Sequence, residues 1–91
     1  GESKQAQDHL KNILDANPQY FTKDVAKNYA ILQKWAESNI YEIPAQVAEV
    51  MFLSLKDDDL HFYRPLLKDM AQWYDKSGNL LKAHHYYQML L

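Results

Sequence analysis

The residues of this chain whose types could do chemistry are three adjacent carboxylates, four histidines and a large set of aromatics, with no cysteine among them. Asp57-Asp58-Asp59 invites comparison with a calcium loop, and the comparison fails. Such a loop alternates its ligands and needs Gly in sixth place and Glu in twelfth; counting from Asp57, those places hold Phe62 and Lys68. A solvated junction whose charge favours the start of the following helix is the better account. His84 and His85 are neighbours and on a helix point about 100° apart, so they cannot chelate one ion. No pair of histidines has the i, i+4 spacing, and His9 and His61 stand alone. Surface or boundary histidines are expected, with no metal site and no cofactor. Nucleophilic catalysis lacks its parts as well. There is no Cys, no Gly-x-Ser-x-Gly turn and no glycine-rich phosphate loop, since the only glycines are Gly1 and Gly78. The chain does not read as an enzyme.

Composition narrows the remaining classes. Ten basic residues against twelve acidic ones give a net charge of -2, so neutralising nucleic-acid phosphates has no electrostatic support. The longest nearly apolar run, Val50 to Leu55, is far short of the roughly 20 residues that span a bilayer, and the polar N-terminus does not resemble a signal peptide. Neither nucleic acid nor membrane is an expected partner. Without disulfides, a cytoplasmic, reducing location is the modest inference. A chain of 91 residues buries only about 60 to 65% of its unfolded surface, so stability must come from good packing of its 47% apolar residues. Gly1-Glu2-Ser3 has the look of a vector-derived remnant, and Met89-Leu90-Leu91 ends on an apolar face. A segment of a longer protein is expected.

The elements that would position these side chains are helices. Ala6, Leu10, Ile13 and Leu14 recur at spacings of three and four and draw one stripe over residues 4–16, which Asn17-Pro18 ends. Thr22 is a candidate N-cap for the next helix, with Asp24 in its first turn. Val25, Tyr29, Leu32 and Ala36 follow at helical spacing, widened by Ile31 and Trp35, until Ser38-Asn39 supplies a stop. Ile40 to Ile43 form a connector, and Pro44 suits the first turn of a third helix running to about Lys56. Pro65 implies that the fourth helix starts near it, or starts near Asp59 and kinks; a start between Asp58 and Leu60 is favoured. The last stretch carries Leu67, Met70, Ala71 and Tyr74, a Ser77-Gly78-Asn79 break, then Leu80, Ala83, Tyr87 and Leu90.

That last stretch, from Leu66 to Leu91, resembles a tetratricopeptide repeat (TPR): a large apolar residue, Leu, a small residue, Tyr, a Gly turn, then Ala, an aromatic and a final apolar residue. Two helices approach closely only where one presents a small side chain, so Leu in place of Ala83 should cost roughly 1 to 3 kcal/mol. Leu32, Trp35, Ala36, Ala48, Phe52 and Leu55 repeat the series 35 residues earlier, close to the family period of about 34. Residues 4–18 resemble the back half of a further repeat. The first copy departs from the family in placing Asn39 where an aromatic belongs, in lacking a Gly turn, and in a leading helix about two turns longer than usual. The expected architecture is an all-α, TPR-like solenoid segment over residues 4–91: a half repeat at 4–18, a repeat at 22–56 and another at 59–91. A plain four- or five-helix bundle is the alternative.

The resemblance implies a protein-interaction scaffold whose concave face is lined by the leading helix of each hairpin. Carried over by position, the groove residues would be Ala30, Gln33 and Glu37 from one repeat and Lys68, Gln72, Asp75 and Lys76 from the next. Amide and charged side chains there suit the backbone and ends of an extended peptide. Lys68 with Gln72 only partly echoes the chaperone-type carboxylate clamp, and Gln33 with Glu37 breaks it. Ala71-x-Trp-Tyr-x-x-x-Gly-Asn-x-x-Lys-Ala-x-x-Tyr-Tyr is also similar to the C-terminal repeats of bacterial peptide-sensing regulators of the Rap, PlcR and NprR group, which implies a regulatory role. Trp73 and Tyr86 fall off the packing positions and are expected at an interface. A protein or peptide partner is the first reading. The second is a structural segment that self-associates, as in a homodimer through its terminal helices.

Overall fold

The computed structural model describes residues 2–91 and is all-helical, without a strand among those residues. Gly1, the first residue of the supposed remnant, lies outside them. Helix α1 spans Glu2–Ala16 and stops where Asn17-Pro18 was expected to stop it; Pro18–Thr22 then forms a 3-10 segment. Helix α2 spans Val25–Glu37 and is capped by Asp24, whose carboxylate accepts from the Lys27 N–H at 3.2 Å. Thr22 is therefore not the cap. Its hydroxyl donates backwards to the Gln19 carbonyl at 2.9 Å, which closes the 3-10 segment and leaves the capping role to Asp24. With that start, α2 has 13 residues against 14 in the fourth helix, and the expected two extra turns are not there.

Helix α3 spans Glu42–Leu53, earlier at both ends than expected, with Pro44 in its first turn where its missing N–H is harmless. Asp57–Phe62 is a second 3-10 segment, and α4 spans Tyr63–Lys76. Pro65 thus falls in the first turn of α4 without a kink, because the preceding residues take the tighter winding instead. Helix α5 spans Leu80–Leu90 and is capped by Asn79, whose side chain accepts from the Lys82 N–H at 3.3 Å.

Helices α2 and α4 end in the same way. Asn39 (φ 64°) and Gly78 (φ 92°) take the left-handed conformation just past each helix. Behind them Ile40 N–H reaches the Trp35 carbonyl and Asn79 N–H the Tyr74 carbonyl, the six-to-one bond of a Schellman cap. Asn is the residue other than Gly that best tolerates this region, so the turn forms without the expected glycine. These two caps lie 39 positions apart, against the offset of 35 read from side-chain types.

The core runs through the middle of the chain. α3 is buried nearly all round, at Ile43, Pro44, Ala45, Val47, Ala48, Met51 and Phe52, because it packs against α1, the first 3-10 segment, α2 and α4. α4 gives the core Leu66, Leu67, Met70, Ala71, Trp73 and Tyr74 and packs on both α3 and α5. α1 is peripheral: Leu10, Ile13 and Leu14 are half-buried and Ala6 is exposed. Ile31, expected to widen the apolar face of α2, is exposed too. In α5 the core face keeps the expected Ala83 and Leu90, but Tyr86 takes the place of Tyr87 and Leu80 is exposed. The radius of gyration, 12.5 Å, is close to the roughly 12 Å of a compact globule of this length.

Candidate functional site

Two stripes with a spacing of four face each other across the gap between α2 and α4. On α2 the stripe is Tyr29, Gln33 and Glu37; on α4 Arg64, Lys68, Gln72 and Lys76 follow at the same spacing and turn about 120° around the rod from first to last. Two cavities occupy the gap. One, of about 420 Å³, is lined by Gln33, Ala36, Glu37, Tyr41, Asp69, Gln72, Trp73 and Lys76. The other, of about 620 Å³, is lined by Tyr29, Arg64, Pro65, Lys68, Asp69 and Gln72, with Tyr87 and Leu90 of α5 forming its far wall. Asp69 and Gln72 line both, so the two cavities adjoin and together make up the groove between the helices.

Five of the seven groove residues expected from the resemblance line these cavities: Gln33, Glu37, Gln72 and Lys76 at one end, Lys68 with Gln72 at the other. Asp75 does not line the groove. It lies a quarter-turn away on α4 and faces Tyr87, whose phenol is pushed up by partial burial and then by the Asp75 carboxylate. Ala30 is exposed and lines neither cavity. The two aromatics expected at an interface are core residues instead. Trp73 is 5% exposed, with only an edge on the groove, and Tyr86 is 6% exposed.

Tyr29 and Asp69 form the floor, and sequence reasoning placed neither in a site. The Tyr29 hydroxyl donates to Asp69 Oδ2 across the α2–α4 gap, and Phe62 packs edge-on against the Tyr29 ring. Burial, then the bond and charge of Asp69, raise the Tyr29 phenol well above its usual range, while Gln33 acts weakly the other way. The bond leaves Asp69 with one oxygen toward the groove. At the other end Lys76 Nζ sits 5.5 Å from the centre of the Tyr41 ring, so that cation is partly engaged already. Periodicity cannot announce such a floor, because it depends on which two helices face each other.

A second polar cluster ties α3, α4 and α5 together. Glu49 of α3 accepts from Tyr74 Oη at 2.7 Å and Lys82 Nζ at 2.6 Å through Oε1, and from the Tyr86 hydroxyl through Oε2. The Tyr74 and Tyr86 rings stack, and Lys82 lies over the Tyr74 ring. Burial alone would raise the Glu49 pKa; the bonds from Lys82, Tyr86 and Tyr74 and the Lys82 charge outweigh it and hold the carboxyl below its ordinary value. This cluster is why Tyr86, and not Tyr87, enters the core: a buried phenol needs a partner, and Glu49 is it. All its oxygens are committed to holding helices together. It therefore offers no free base or nucleophile.

Among the described residues no group of three or more His, Cys, Asp or Glu side chains is placed to hold a metal ion, and no helix is long and apolar enough to cross a membrane. Comparison with known proteins gives no matching family model, no matching curated protein and no matching solved structure.

Proposed function

We propose that this chain is a non-catalytic binding segment that holds a protein or peptide in the groove between α2 and α4, within a TPR-like stack of the hairpins α2/α3 and α4/α5. The observation that carries the reading is that Gln33, Glu37, Gln72 and Lys76 line one cavity of the α2–α4 gap and Lys68 and Gln72 the adjoining one. Amides at its centre suit the N–H and C=O groups of an extended chain, and charges at its ends suit side chains. The two hairpins end their leading helices in the same type of cap, 39 positions apart. The likeness to Rap, PlcR and NprR repeats makes the role a regulatory one in the cytoplasm. The test is peptide display on the immobilised chain, with a Gln33→Ala, Gln72→Ala variant of unchanged helicity as the counter-target. Peptides that bind the parent and lose at least tenfold on the variant support the groove. Peptides indifferent to the variant sink it.

One observation favours a second reading, self-association through α5. Leu80 (64% exposed), Leu81 (87%) and Met89 (43%) are exposed on that helix beside His84, His85 and Gln88, Leu91 follows it, and Lys82 is engaged by Glu49. Sedimentation over a wide concentration range decides the matter, and a monomer throughout removes this reading.

A further inference from the structure

The charges around the groove are unevenly placed, and their placement names a ligand chemistry. Resting on the groove reading above, we propose that the bound chain is an extended peptide whose acidic side chain meets Arg64 and Lys68 while an adjacent apolar side chain rests on Pro65, Tyr87 and Leu90.

The acidic preference follows from what each charge already touches. Arg64 and Lys68 are exposed, one helical turn apart, and among the described residues neither has a carboxylate within ion-pair distance; the one bridge there joins Lys82 to Glu49. The contact Arg64 does make, to the Leu90 carbonyl at 3.4 Å, is long and leaves most of its donors open. The opposite end has one charge of each sign in its lining, Glu37 and Lys76, besides Asp69. The chain as a whole carries -2, yet this rim carries two cations against the single carboxylate of Asp69.

Asp69 also decides which kind of carboxylate fits. It lies on the floor, half-buried and held by Tyr29, whereas Arg64 and Lys68 stand at the rim. A carboxylate that ends the ligand's backbone would sit low, beside Asp69, and be repelled. A Glu side chain can instead reach the rim on its flexible stem while the backbone stays on the Gln33 and Gln72 amides. The apolar companion has its place between them, because Pro65, one residue from Arg64, joins Tyr87 and Leu90 in an uncharged wall.

The test uses the full chain and four fluorescent hexapeptide pools of randomised sequence, alike except for a fixed central pair and the C-terminus: Leu-Glu amide, Leu-Gln amide, Leu-Lys amide, and Leu-Gln with a free carboxylate. Fluorescence anisotropy should show the Leu-Glu pool binding about tenfold tighter than the others, a preference that weakens as salt rises. An Arg64→Gln, Lys68→Gln variant should keep its helicity and bring the Leu-Glu pool to the level of the Leu-Gln amide. The proposal is overturned if the glutamine, lysine or free-carboxylate pool binds as well or better, or if the variant keeps the preference. Where such binding is still lost on Gln33→Ala with Gln72→Ala, the groove stands and only the acidic anchor falls. Binding by none of the pools overturns both.

Discussion

Glu49 is the residue whose removal tells most about the packing. It is the only charged side chain between Ile43 and Leu55, and one carboxylate receives three donors from two other helices. Glu49→Gln keeps the shape and loses the charge, and should lower the unfolding free energy by about 1 to 3 kcal/mol in urea titration. Tyr86→Phe should cost about half as much. The pH dependence has two edges. The Glu49 pKa is depressed in the fold, so its contribution is complete above the unfolded value of 4.5 and fades as pH falls through the lower folded value. Tyr29, Tyr74 and Tyr86 are raised above 10.0, so theirs is complete below that pH and lost as pH climbs beyond it. Unfolding monitored from pH 2 to 12 should give a plateau between those edges, and Glu49→Gln should flatten the acid side. At this scale the sequence was only partly legible. A lone acid inside an apolar helix was a signal for Glu49, but choosing Tyr86 over Tyr87 required knowing where Glu49 points. Adjacent aromatics on a helix look alike to a 3.6-residue period.

The helices themselves were legible because their punctuation is chemical. Asn17-Pro18, Ser38-Asn39 and Ser77-Gly78-Asn79 end helices where the sequence says they should. What escaped is the 3-10 winding before α2 and α4, since it leaves no periodic stripe and shifts the start of each helix by a few residues. The two left-handed caps allow a direct comparison. A Cβ added at Gly78 would meet nothing within 4 Å, so Gly78→Ala should cost about 1 kcal/mol through backbone strain alone. Asn39→Gly should change stability by less than about 0.5 kcal/mol, because relief of strain is offset by the freer unfolded chain. Thermal melts of the two variants separate these cases. Ala83 is 3% exposed where α5 meets its neighbours, and Ala83→Leu should lose roughly 1 to 3 kcal/mol by overpacking, read in the same melts.

For the molecule as a whole, the all-α class could be read in advance. The groove candidates came from the resemblance to TPR repeats, and Tyr29 and Asp69 beside them were missed, because which helices face each other leaves no periodic stripe. Of the exposed apolar residues of α5 only those at the Met89 to Leu91 end were expected; Leu80 was expected to pack inward, since an exposed Leu and a buried one have the same spacing. Leu81→Glu sits at an 87% exposed position and should leave stability within about 0.5 kcal/mol while abolishing any concentration-dependent sedimentation. The Glu49 cluster also has a bearing on how the molecule opens. Lifting α5 alone would strand a half-buried carboxylate that also holds α4, so α3, α4 and α5 are bound to come apart as one cooperative unit. α1 rests on α3 and the first 3-10 segment through half-buried side chains, and among the described residues no side-chain hydrogen bond ties it to another helix. Amide hydrogen exchange would then record two clocks: a fast one for α1, and a slow, shared one for the three helices that meet at Glu49.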